Sequence, residues 1–142
     1  MEKSLQYWWL NVIPKEDDPD GWALSEGSVG EIESYSLYHE SGNKRQIPWC
    51  FLAAKKGDIV IGYATHSHKR IEALLKVAAE QDGEDIYFEK TEVLKVPVTR
   101  AELREYPELA NMRYFKNPRG SLFPLTESEY VCIMNLIRAK NP

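Results

Sequence analysis

The side chains best equipped for chemistry in this chain are aromatic. Trp8, Trp9, Trp22, Tyr35, Tyr38, Trp49, Phe51, Tyr63, Tyr114 and Phe115 exceed what the core of a 142-residue chain requires. Most aromatics simply pack, but two or three ring faces around a slot the width of a flat ring make a cage. Such a cage holds a nucleobase by stacking, worth about 1–3 kcal/mol per base. Any two or three of these rings, Tyr63 among them, could form the walls, with Asn11, Ser36 and Thr65 as the polar groups that would read a base edge. The basic stretches "GNKRQ" and "HSHKR" look like phosphate-contacting loops, with Lys44, Arg45, Lys69 and Arg70 as candidates and Arg119 further along.

Other chemistry is poorly represented. "GSVG" at 27–30 lacks the Lys-Ser/Thr partner of a phosphate loop and reads as a turn. His66 and His68 have metal-like spacing, but a zinc site needs three or four convergent ligands, and only His39 remains. Cys50 and Cys132 sit in apolar contexts ("PWCFLA", "YVCIMNL") where cysteine behaves as a small hydrophobe. The expectation is a non-enzymatic protein without cofactor or metal.

The elements that must position these groups can be read from pattern. Residues 6–12, "QYWWLNV", read as a strand, so Trp8 and Trp9 must face apart: one for the core, one elsewhere. Asn11 shares a face with Trp9, two residues on, so a ring and an edge-reading amide stand together. A Pro-, Gly- and Asp-rich loop spans 14–30, and 31–39 alternates as a strand. "IPWCFLAAK" suggests a short helix. "IVIGYATH" (59–66) is a strand apolar on both faces. Residues 70–80 and 85–98 are expected to pair as a hairpin across "QDGE". Thr99 with Glu102, and Thr126 with Glu129, have capping-box spacing. After the second box, Tyr130, Ile133, Met134 and Ile137 predict an amphipathic C-terminal helix.

Together these describe one α+β domain over 1–142, a small twisted β-barrel of about five to six strands flanked by two to three helices. A net charge of −4 argues against a generally basic nucleic-acid binder, but the segment from Lys44 to Arg70 is locally basic. No apolar run approaches the ~20 residues of a membrane span, and the N-terminus has no signal-peptide layout. A cytoplasmic location is expected.

Several motifs carry a likeness. "YWWLN", "AKKGDIVIGYAT" and "LANMRYFKNPRGSLFPLTESEYVCIMNLI" together resemble the EVE domain of the PUA-like superfamily, closest to EVE domains joined to McrB-type restriction ATPases. The family's opening Tyr-Trp is matched by Tyr7 and Trp8, which implies Trp8 as the core residue and Trp9 as the pocket wall. Its Phe-Leu, then Lys-x-Gly-Asp, is matched by Phe51, Leu52, Lys55 or Lys56, Gly57 and Asp58. Its closing helix is matched by Leu125, Thr126, Glu129 and Tyr130. The chain departs from the family at "YSLYHESGNKRQ", where relatives carry a Trp-Asp-Gly-Val-Arg-Asn-Tyr type of stretch. "YSLY" is similar to the Tyr-Thr-Leu-Tyr of the McrB-linked branch, which implies Tyr35 and Tyr38 as cage members.

The resemblance implies a PUA-like barrel related to YTH domains, and a reader that flips a modified base of DNA into an aromatic pocket. That base would be a methylated or hydroxymethylated cytosine, or a methylated adenine. It further implies a modification-dependent restriction system, with an McrB-type ATPase and a nuclease as partners or fused domains. The alternatives are an RNA reader of the YTH/PUA type and a protein-interaction module.

Overall fold

Alternation at period two decides where each side chain of the sheet goes. In the computed structural model, which describes residues 5–36, 53–116 and 121–142, strand β1 (Tyr7–Val12) sends Trp8, Leu10 and Val12 into one apolar layer and Trp9 into another. Strand β3 (Ile59–Ala64) does the same with Val60 and Ala64 against Ile61 and Tyr63. Both strands are buried on both faces, as the unbroken apolar run in β3 predicts.

Around this pair the sheet is built from β2 (Ile32–Ser36), β4 (Arg70–Ala79), β5 (Asp85–Thr99) and β6 (Leu122–Leu125), in the order β2-β5-β4-β3-β1-β6. β1 and β3 are parallel, and every other neighbouring pair is antiparallel. The expected hairpin of 70–80 with 85–98 is present as β4 and β5. Its register shifts at three places, and a further shift falls at Gly62/Tyr63 between β3 and β4. Bulges of this kind add local twist, and the six strands curl into a half-barrel. Among the described residues it carries three α-helices: α1 (Arg100–Arg104), α2 (Arg113–Lys116) and α3 (Glu127–Lys140), with a 3-10 turn at Pro107–Leu109. None is long and apolar enough to cross a membrane.

One layer holds Trp8, Leu10, Val60, Leu75, Val77 and Phe88, plugged by Trp22 and Leu24 from the 14–30 loop. The other is covered by the helices, with Ile133 and Ile137 of α3 fully buried at the predicted spacing. Both capping boxes form: Glu102 N–H donates to Thr99 Oγ1 and Glu129 N–H to Thr126 Oγ1, each at 3.1 Å. Tyr7 stacks on Tyr130 at 4.2 Å, tying α3 to the first strand. β6 is absent from the sequence reading. It is four residues long and contains Pro124, a composition that hides a strand; at the sheet edge a missing N–H is tolerated. The helix expected at "IPWCFLAAK" has residues 47–52 outside the described residues.

The Lys-x-Gly-Asp turn locks the start of this sheet. Gly57 adopts φ +91°, a conformation that disfavours a side chain, and its N–H donates to Val77 O at 2.9 Å. Asp58, only 2% exposed, then accepts from four donors. These are Gln6 N–H (3.2 Å), Gln6 Nε2 (3.0 Å), Trp8 Nε1 (3.0 Å) and Lys55 N–H (2.8 Å).

Candidate functional site

β1 and β3 run parallel, so their C-terminal ends reach the same rim of the sheet. Asn11 near the end of β1, Thr65 and His66 after β3, and Ser34 and Tyr35 of β2 line a cleft there of about 690 Å³. Gly21 and Trp22 of the long loop, Tyr114 of α2 and Ser121 complete the wall. The volume lies within the range of small-ligand sites.

The loop wall is firmly held. A Cβ on Gly21 would collide with the carbonyl oxygens of Ile13, Pro14 and Asp18, so only glycine fits this crossing of the backbone. Trp22 Nε1 donates to Glu31 at 2.6 Å, and Glu31 pairs with the wholly buried Lys90 Nζ at 3.1 Å. Lys90 also donates to Ala23 O and Glu26 O, so one lysine of β5 fastens the loop to the sheet. The indole hydrogen bond, with Lys90 adding to it, holds the Glu31 carboxyl below its ordinary range.

On the far side of the rim the turn after β3 is clamped to the same loop. Ser67 Oγ donates to Asp17 at 2.7 Å. His68 sits between Glu16 (2.8 Å from Nε2) and the buried Glu72 (2.7 Å from Nδ1). A carboxylate at each ring nitrogen favours the doubly protonated imidazolium, which has an N–H for both. Consistently, the bond to Glu16 raises the His68 pKa, against the opposing pull of burial and with Glu72 adding to it.

Behind the cleft lies an aromatic stack. Trp9 is fully buried, with Tyr114 stacked on it at 4.8 Å and 22° and Tyr63 at 4.8 Å and 32°. Trp9 Nε1 donates to Asn11 Oδ1 at 2.9 Å. That bond fixes the amide, oxygen toward the indole and NH₂ turned away from it. The Tyr63 hydroxyl is buried without a hydrogen-bond partner among the described residues. Burial, reinforced by the neighbouring Tyr114 phenol, pushes its pKa well above the ordinary tyrosine range.

Of the residues that sequence selected, the structure brings Asn11, Tyr35 and Thr65 together in the cleft lining. Trp9 and Tyr63 stand one layer behind, covered by Tyr114 rather than facing the opening. Ser36 closes β2, paired with Asp85. Tyr38, Lys44, Arg45 and Arg119 lie outside the described residues. Lys69 is exposed on the turn at φ +51°, whereas the Arg70 guanidinium is already engaged by Glu72 at 2.6 Å. Trp8 and Trp9 do face apart, but both are core residues. Sequence reasoning missed Gly21, Ser34, His66 and Ser121 as lining, and it used Trp22 and Tyr114 only as members of the aromatic surplus. Loop closure brings these together across 14–121, and no local pattern announces it.

A second, shallower groove of about 540 Å³ runs along α3, lined by Tyr106, Glu108, Val131, Cys132 and Leu136. Cys132 is half-buried there, and burial raises its thiol pKa. Among the described residues no group of three or more His, Cys, Asp or Glu could hold a metal ion.

The family model described as "EVE domain" matches residues 42–136. No curated protein sequence matches the chain. Solved structures do. A protein from Leishmania major aligns with TM-score 0.74 at 16% identity, over 98% of both chains. Rpa0253 from Rhodopseudomonas palustris aligns with TM-score 0.73 at 20% identity, over 95% of this chain and 94% of that one. Human THYN1, solved in complex with DNA containing 5-methylcytosine, aligns with TM-score 0.71 at 16% identity, over 93% and 97%. At these identities the likeness establishes a shared fold.

Proposed function

The chain belongs to the EVE domain family, and from that premise we propose that it is a non-enzymatic reader of a modified base in DNA. The observation that carries this reading is the rim cleft. It joins aromatic surfaces (Trp22, Tyr35, Tyr114) to hydrogen-bonding groups (Asn11, Ser34, Thr65, His66) in one cavity of base-accommodating size. Stacking alone tolerates any base; the edge-reading groups and the pocket shape supply discrimination. A base inside a duplex offers neither face nor Watson–Crick edge, so it would enter by flipping out of the stack. The human relative solved with 5-methylcytosine DNA supports modified DNA as the ligand class.

In this reading Asn11, Tyr35 and Thr65 contact the base directly. Trp9 and Tyr63 act from behind, setting the position of Tyr114 and the orientation of the Asn11 amide. A targeting role in a restriction system, beside an McrB-type ATPase and a nuclease in the cytoplasm, extends the proposal; the "YSLY" likeness supports it.

Tryptophan fluorescence titration at low salt tests the core of it. Duplexes carrying 5-methylcytosine, hydroxymethylcytosine or N6-methyladenine are compared with unmodified duplex and matched RNA. One modified duplex is expected to bind at least about 10-fold tighter than its unmodified counterpart, and Tyr35→Ala should weaken binding of that duplex about 10-fold, since a lost stacking partner is worth about 1–3 kcal/mol. Equal binding of all DNAs, or preference for RNA, would count against it.

A further inference from the structure

Charge is sorted around the cleft. Its described lining carries Asp18, Asp20 and Glu33 and no lysine or arginine. Phosphate oxygens gain nothing among three carboxylates, so a nucleic-acid backbone must be held at the rim instead. The cations near that rim gather on α1, α2 and the turn before β4.

Arg100 N–H donates to Lys69 O at 3.0 Å, placing the start of α1 against that turn. Arg100 and Arg104 are four residues apart and share one face of α1. Glu102 projects to the other side, where Lys140 holds it at 2.6 Å. The Arg104 guanidinium lies over the Phe115 ring at 4.4 Å, and Phe115 touches Tyr114, a cleft residue, at 5.7 Å. Arg113 and Lys116, both exposed, flank Tyr114 on α2. Most other cations of the sheet and of α3 are spoken for: Lys55, Arg70, Lys76, Lys90, Arg138 and Lys140 all pair with carboxylates. Lys69, Arg100, Arg104, Arg113 and Lys116 pair with no described carboxylate.

We propose that Lys69, Arg100, Arg104, Arg113 and Lys116 form a phosphate track for the DNA backbone along α1 and α2, beside the Tyr114 wall of the cleft. This rests on the reading of the cleft as a DNA site, and it keeps Lys69 of the turn while moving the other backbone contacts to the two short helices. The arginines suit the task. Their planar forks match phosphate oxygens, and Arg104 is already ordered by its ring contact. Arg70, tied to Glu72, drops out of the contact set.

Phosphate contacts weaken binding uniformly across sequences and set its salt dependence. The test is fluorescence anisotropy over a salt series, with a 5-methylcytosine duplex and its unmodified twin. Wild type is compared with Arg104→Gln/Lys116→Gln and with Lys56→Gln/Lys95→Gln, which removes equal charge from the turn before β3 and from β5. The track predicts that the first variant loses about 10-fold on both duplexes, that its log-log salt slope falls by about 2, and that its preference for the modified duplex is unchanged. The second should stay within about twofold of wild type. Arg104→Lys/Lys116→Arg should restore the slope, which separates charge from folding. If wild type binds but the first variant keeps its slope, or if both variants lose equally, the track is refuted and the cleft reading survives. If wild type binds no DNA, the cleft reading itself fails and takes the track with it.

Discussion

Trp9→Ala should lower the unfolding free energy by about 3–5 kcal/mol, as much as Trp8→Ala does. The sequence suggests a different outcome. Strand alternation assigns one tryptophan to the core and leaves the other free for a ligand. Alternation does separate them, but a half-barrel covered by helices has two buried layers, one on each face of the sheet. Trp9 is 0% exposed in the layer beneath the helices, sandwiched with Tyr63 and Tyr114 and bonded to Asn11. Removing the indole leaves a cavity, two rings without their partner and a loosened amide in the cleft wall. Urea denaturation of the two alanine variants reads this out as parallel falls in midpoint. A Trp9→Ala protein within about 1 kcal/mol of wild type would show that the ring is not core.

Asp58→Ala carries an expected loss of similar size, about 3–5 kcal/mol, from a side chain with no apolar surface to speak of. Its carboxylate is the shared acceptor for two N–H groups of Gln6, the Trp8 indole and the Lys55 amide. Each donor left unsatisfied in a buried place costs about 1–3 kcal/mol. The Trp8 indole has no water to turn to, because Trp8 is 1% exposed. Asp58→Asn keeps one acceptor oxygen and should cost visibly less. Thermal melts of the two variants check the order; an Asp58→Ala protein as stable as wild type would show that the four bonds contribute nothing net.

Much of this fold was legible because its signals are local. The capping boxes at Thr99 and Thr126, the hairpin across "QDGE" and the buried strand at 59–64 each follow from a few adjacent residues, and each forms. The Lys-x-Gly-Asp motif is visible as a family likeness, though its work, joining Gln6 to Lys55 where the central strands β1 and β3 begin, is visible only in three dimensions. β6 escaped because four residues with a proline carry too little pattern.

The site was legible in kind and not in membership. Asn11, Tyr35 and Thr65 are strand-end residues whose position follows from the strands themselves. Tyr114 and Ser121 join them through tertiary closure, and the acidity of the lining comes from Asp18 and Asp20 of the long loop and Glu33 of β2. By composition the basic segment between Lys44 and Arg70 reads as a phosphate surface. Pairing rather than composition decides which cations remain available: Arg70 is bound by Glu72, while Arg104 and Lys116 have no carboxylate partner among the described residues.

Amide chemical-shift mapping tests the central claim most directly, that a base sits in the rim cleft. The ¹⁵N-labelled protein would be titrated with a duplex bearing a single 5-methylcytosine. The largest shifts are predicted at Asn11, Ser34, Tyr35, Thr65 and His66, the residues lining the cleft at the ends of β1 and β3 and on β2. Shifts centred on Tyr106, Val131, Cys132 and Leu136 along α3, with the cleft amides unmoved, would contradict it.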